Sequence, residues 1–367
     1  MFFHHPTFRR VIRLTLSRRY FHFRNAVAAV ALMTAFLLLR GIVAVVRMTE
    51  RVFFSAYRRE PITGPIFITG SPRSGTTFLH RMMNLDPQFS TMKLYHTIFP
   101  AITFYKLFHY AGLLDLRVGQ PLGRILRWMD RKGFEGWKDI HRTRLNEAEE
   151  DEQLFVYAFL SPVLTLLFPF IDELFDACHV DALPEIDRVK LMGYYRDCLQ
   201  RHLFATGPEK TLLVKNTTMT GRLRATIDAF PDLRIVHVVR APKEAIPSLL
   251  SMYDAPWKAL SPSLSGHRAS RALARLYCQY YGRRRLLEDW LPASQLVVVN
   301  YENLVSDPLR EVERVYAHFR LAMDPTFQDA LSKEAKNAQT FRSRHTYSPE
   351  KFGITAEEIK MWVETLV

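Results

Sequence analysis

At 367 residues and 48% hydrophobic content, the chain is long and apolar enough for one large α/β domain with an appendage, and it carries no internal repeat or low-complexity segment. Fifty basic against 37 acidic residues, a net charge of +13, suit a polyanionic ligand, an acidic substrate or an anionic membrane surface; no zinc-finger spacing, heptad run or aromatic RNA-binding signature marks nucleic acid as a partner. Three widely spaced cysteines, Cys178, Cys198 and Cys278, exclude a disulfide scaffold and fit a reducing, cytoplasmic compartment.

Residues 1–25 hold six arginines and no acid, and residues 26–46 are apolar except Thr34, Arg40 and Gly41. Arg47, Arg51, Arg58 and Arg59 follow. The apolar run has the length of a membrane span, but Arg40 opposes burial in lipid. Residues 1–60 therefore read as a basic, apolar helical segment. It is a membrane-surface helix through residues 9–59, a signal-anchor, or a helix packed on the rest of the chain. Residues 61–367 read as the main domain.

That domain opens on its most informative stretch. An apolar run, Pro65–Thr69, enters Gly70-Ser-Pro-Arg-Ser-Gly75-Thr-Thr, and a helix with Phe78, Leu79, Met82 and Met83 on one face follows. Strand, glycine-rich turn and helix aim backbone N–H groups and a helix N-terminus at a phosphate. The nucleotide-triphosphatase form of this turn needs lysine where Thr76 stands. Arg73 is the cation inside the turn instead. A bare strand–turn–helix corner would also use glycine, but would not need the arginine and four hydroxyls.

The P-R-S-G-T-T run resembles the phosphosulfate-binding loop of sulfotransferases that use 3′-phosphoadenylyl sulfate (PAPS), in their bacterial-type branch. The resemblance implies a P-loop-NTPase-like sulfotransferase fold, with a parallel β-sheet of four or five strands and helices on both faces. It implies that Arg73, Ser74, Gly75, Thr76 and Thr77 hold the 5′-phosphosulfate of PAPS, without a metal. The product nucleotide would be adenosine 3′,5′-bisphosphate (PAP).

Further along, some branches of that family place a glutamate near residue 96 as the base for the acceptor hydroxyl. This chain has His96 there, either a general base or a loop histidine without a role. Residues 147–152 then put five acids in six positions. They read as the acidic first turn of a helix, or as the source of a base among Glu147, Glu149, Glu150 and Glu152, since clustered carboxylates raise one another's pKa. The apolar run 154–171 reads as a buried helix or the wall of an apolar pocket, which hints at a lipid-like acceptor. Amphipathic spacing predicts a helix over 185–205.

Thr211–Lys215 reads as a buried parallel strand with Lys215 at the end where ligands of such sheets bind. The resemblance makes Lys215 the residue that neutralises the bridging oxygen as sulfate leaves. A second strand, Ile235–Val239, ends at Arg240, where a nucleotide triphosphatase often has an aspartate for magnesium. Arg240 and Ser248, in the spacing R-x-P-x-x-x-x-x-S, resemble the family's site for the nucleotide 3′-phosphate. A helix is expected over 243–253, a loop over 255–268, a long helix over 269–290 and a fourth strand leading into Tyr301-Glu-Asn-Leu. Arg342 and Arg344 are candidates to close over the nucleotide.

These elements together predict a PAPS-dependent sulfotransferase acting on a small-molecule or lipid-like hydroxyl, with His96, Glu147, Glu149, Glu150 and Lys215 as candidate catalytic residues. Two other classes stay open. One is an NTP-dependent kinase or NTPase, opposed by Thr76 and Arg240. The other is a non-catalytic, membrane-associated nucleotide-binding protein.

Overall fold

The structure is a computed structural model that describes residues 1–124, 147–264, 266–339 and 348–365. Five strands form one sheet in the order β2-β3-β1-β4-β5. They are β1 (Ile66–Gly70), β2 (Phe89–Ser90), β3 (Thr211–Lys215), β4 (Arg234–Val239) and β5 (Leu296–Asn300), and every pairing is parallel. All carboxyl ends therefore point to one edge, where open α/β sheets bind ligands.

Side-chain alternation along the strands builds the two covered faces. Phe67, Leu212, Val214 and Ile235 point to one side, into a core with Leu191, Tyr195 and Leu199. Those three lie on the helix Glu185–Thr206. Ile66, Ile68, Leu213, Val236 and Val297 point to the other side, against Leu79 and Met82, and Val312 and Val315. The architecture is thus the expected parallel sheet with helices on both faces. β2 is two residues long, too short to leave a periodic signal in the sequence.

Ahead of the sheet stand α1 (His5–Thr15) and α2 (Phe23–Phe53). Downstream come α3 (Thr76–Met83), α4 (Ile102–Arg117), α5 (Glu185–Thr206), α6 (Pro242–Leu260) and α7 (His267–Gly282). The run 154–171 is cut into Gln153–Tyr157 and Leu164–Leu167, with the buried Phe159 between them at φ 60. α6 continues through Pro247 and Pro256 into the stretch read as a loop. The expected helix 269–290 divides into α7 and Arg285–Trp290.

The second half of α2 is joined to the sheet domain by buried charge. Arg47 pairs with Asp197 and donates to the Pro100 carbonyl at 3.1 Å and the Cys198 sulfur at 3.0 Å. Glu50 pairs with Arg201, both fully buried, and accepts the Thr103 N–H at 2.6 Å. Tyr57, also buried, donates to Asp197 at 2.7 Å. Arg40, the residue that counted against a span, donates to the carbonyls of Met1, Phe2 and Tyr157 and lies 4.6 Å over the Phe3 ring. At the other end, Val11 of α1 and Ala29 of α2 share a core with Phe159, Phe168 and Phe170.

Candidate active site

The turn after β1 is shaped by two glycines at positive φ. Gly70 sits at φ +143, and a Cβ there would lie 2.2 Å from the Val238 carbonyl oxygen. Gly75 sits at φ +90 as the N-cap of α3, with the Tyr301 ring where its Cβ would be, 2.8 Å away. Close approach of β4 and of Tyr301 therefore demands glycine at both positions. The first N–H groups of α3 have no acceptor within their own helix and face the edge where the strands end. The Ser74 hydroxyl closes the turn onto the Ser71 carbonyl at 2.5 Å.

Arg73 adopts φ 68, an uncommon conformation for a residue with a side chain. Its Nε donates to the Ser248 hydroxyl at 3.1 Å. Arg240, just past β4, donates from Nη1 to the Arg73 carbonyl at 3.0 Å. Its other nitrogens bond Glu244 at 3.1 and 3.2 Å, and its guanidinium lies 4.3 Å over the Tyr301 ring. Arg73, Arg240 and Ser248 thus meet in one place, though Arg240 and Ser248 lie on segments far from the turn in sequence. Two guanidinium groups and a hydroxyl beside a helix N-terminus suit a phosphate in charge and donor geometry.

Lys215, at the end of β3, is buried with its Nζ between two partners. It donates to the Thr77 hydroxyl at 3.1 Å and to Glu149 Oε1 at 3.0 Å, and lies 3.7 Å from Glu150 Oε1. Glu150 accepts the Thr217 hydroxyl at 2.9 Å, and its side chain keeps 20% exposure against 7% for Glu149. Burial raises the Glu150 carboxyl above its ordinary value, against the lowering pull of Lys215.

A short ladder delivers the acids there. Lys93 bridges Ala148, Leu94 N–H donates to the Glu147 carbonyl at 3.2 Å, and Glu149 N–H to the Met92 carbonyl at 2.9 Å. Behind it Asp151 accepts from Tyr195 and from Asn216, the latter at 2.6 Å. Glu152 pairs with buried Arg222 and accepts from Asn216 at 3.0 Å and from Ser161. Asn216, formally a glycosylation sequon residue, is only 2% exposed.

His96 lies apart from this cluster. It is buried among Tyr95, Tyr105 and His202, with ring centroids 4.1, 4.5 and 4.9 Å away. Its Nδ1 accepts the Lys93 N–H at 3.1 Å, capping the helix Leu94–Ile98. Burial pushes its pKa down to about 2. With Nδ1 accepting, the proton of the neutral ring resides on Nε2, and no lone pair remains for a substrate hydroxyl. Glu147 contributes its carbonyl to the ladder. Arg342 and Arg344 lie outside the described residues.

Sequence reasoning missed Tyr301, Thr217 and the Asp151–Asn216–Arg222 set. Asp151 stood inside the acidic run, and Asn216 and Thr217 directly after Lys215, so adjacency was the available signal. Nothing in sequence brings Tyr301 onto Gly75 and Arg240.

Residues 65–325 match the model of a family described as the Sulfotransferase family. Over 266 residues the chain is 25% identical to the omega-hydroxy-beta-dihydromenaquinone-9 sulfotransferase Stf3 of Mycobacterium bovis and to that of Mycobacterium tuberculosis. The match covers 70% of this chain but 63% of those relatives, just under two thirds of their length. Among solved structures, sulfotransferase STF1 from Mycobacterium tuberculosis superposes with a TM-score of 0.73 at 20% identity, covering 98% of this chain and 91% of that one. Sulfotransferase STF9 from Mycobacterium avium does so at 0.74 and 18% identity, covering 96% and 87%. These two likenesses show a shared fold.

Proposed function

The chain belongs to the sulfotransferase family, and from that premise we propose that it moves a sulfuryl group from PAPS to a hydroxyl of a lipid-like acceptor. The observation that carries this reading is the position of Lys215, between Thr77 of the anion-binding turn and the carboxylates of Glu149 and Glu150. The α3 N-terminus with Arg73, Ser74, Gly75, Thr76 and Thr77 would hold the 5′-phosphosulfate. Arg240 and Ser248 would hold the 3′-phosphate. When bound, PAPS supplies the transferable sulfuryl group.

The chain's own part is positioning and charge. Glu150, the more exposed carboxylate of the pair, takes the proton of the acceptor hydroxyl as its oxygen bonds to sulfur. Lys215 meets the negative charge that grows on the bridging oxygen as the old sulfur–oxygen bond breaks. Glu149 keeps the Lys215 ammonium in place. Arg222, Asn216 and Asp151 hold the acidic segment against β3.

The lipid-like acceptor rests on the named activity of the curated relatives, whose acceptor is a hydroxylated menaquinone derivative. The buried free cysteines and apolar α2 support a cytoplasmic enzyme at an anionic membrane surface. Incubation with sulfur-labelled PAPS and a panel of hydroxylated isoprenoid lipids tests the assignment. Label should enter lipid with the wild type, and the rate should rise with pH through the raised pKa of Glu150; Glu150→Gln should abolish that limb. Transfer by Glu150→Gln at the wild-type rate would remove Glu150 from the role of base.

A further inference from the structure

α2 is an inside-out helix. The charges of its second half face the protein: Arg40, Arg47 and Glu50 share one side and are bonded to the domain. Val27, Val30, Leu38, Ile42, Val45 and Val52 are all more than half exposed. At the 100° step of an α-helix these six fall within an arc of about 120°, opposite the charges. Only 11% of its most apolar stretch is buried. α4 is a second helix with exposed apolar side chains. It is tied to α2 through Thr103 and Glu50, and it exposes Leu107, Leu113, Leu114 and Leu116. Apolar side chains exposed in this number call for an apolar partner.

Charge identifies the partner. Arg9, Arg13, Arg18 and Arg24 are exposed before the apolar run and Arg51, Arg58 and Arg59 after it. Basic rims around an apolar helix face fit an anionic bilayer surface. The fold also fixes the orientation. α1 packs on the segment 159–177 at one end of α2, and Arg47, Glu50 and Tyr57 pack on α5 at the other. A spanning α2 would put these attachments on opposite sides of the membrane, although both belong to one folded body. At 31 residues α2 is about 46 Å long, enough to lie along a membrane surface.

We propose that α2 and the outer half of α4 form a monotopic membrane-docking face, with α2 lying in the plane of an anionic bilayer and not across it. This deepens the membrane-surface reading but does not depend on the catalytic one, because docking is measured without PAPS or acceptor.

The test is co-flotation of the full chain with phosphatidylcholine vesicles, with and without phosphatidylglycerol. The wild type should float with the anionic vesicles and detach in part at high salt. The variant Leu38→Glu/Val45→Glu/Val52→Glu alters exposed positions only and should keep its thermal response to PAP. Its partition coefficient should fall at least about tenfold, from three lost apolar insertions. Depth decides orientation. Val30→Cys, Leu38→Cys and Val52→Cys, each labelled with an environment-sensitive fluorophore, should be quenched alike by shallow nitroxide lipids; the native cysteines are buried. Deep quenching at Leu38→Cys alone would establish a span and overturn the proposal. So would absence of the wild type from the floated fraction, or undiminished flotation of the triple variant. A vesicle-free dimer that the triple variant converts to monomer, with no flotation of either, would assign the face to a second copy of the chain.

Discussion

Lys215 is a buried lysine with two carboxylates and one hydroxyl around it, so its charge is balanced inside the fold. Lys215→Met, which keeps the apolar stem, should lower the single-turnover transfer rate about a hundred- to a thousandfold with little change in PAP affinity. An equal loss in PAP affinity would make the lysine a nucleotide-binding group instead. Asp151 carries a different signature. Burial lifts its carboxyl from 3.8 to about 6, so the folded chain holds a proton that the unfolded chain has lost. The sign follows: this contribution is full below pH 3.8 and is lost as pH rises through 6, amounting to about 3 kcal/mol. Denaturant unfolding at several pH values should show Asp151→Asn gaining on the wild type by that amount across the window, and parallel curves would contradict it. At this scale the motifs singled out Arg73, Arg240 and Ser248, which the fold brings together, and Lys215, which it sets beside Thr77. The sequence left His96 open between a base and a histidine without a role, because only the fold reveals that its Nδ1 is engaged by the Lys93 N–H.

Among the elements, β1, β3 and β4 were readable because strands buried on both faces leave continuous apolar runs, and the edge strand β5 because Leu296–Val299 is apolar throughout although only alternate residues are buried. The break of 154–171 was not, since Phe159 at φ 60 obeys tertiary packing and not local propensity. α2 was ambiguous for a physical reason. An apolar run with inward charges scores as a span, and only the partners of Arg40, Arg47 and Glu50 distinguish a docked helix from a crossing one. The Glu50–Arg201 pair tests that attachment. Glu50→Ala leaves a fully buried guanidinium short of its partner and the Thr103 N–H without its acceptor. It should cost about 3 kcal/mol in chemical denaturation. A loss below about 1 kcal/mol would mean that the attachment contributes only as much as a surface pair.

For the molecule as a whole, one parallel sheet gathers the ends of β1, β3 and β4 so that distant motifs meet at one edge. The net +13 suits both proposals, a polyanionic nucleotide at that edge and an anionic bilayer against the basic flanks of α2. The most direct measurement is the thermal unfolding of the purified chain with PAP, and separately with ATP or GTP, each with and without magnesium. PAP at a hundred times its dissociation constant should stabilise by about 2.7 kcal/mol without magnesium, and Arg240→Ala should remove the shift. Stabilisation only by ATP or GTP with magnesium would contradict the PAPS assignment.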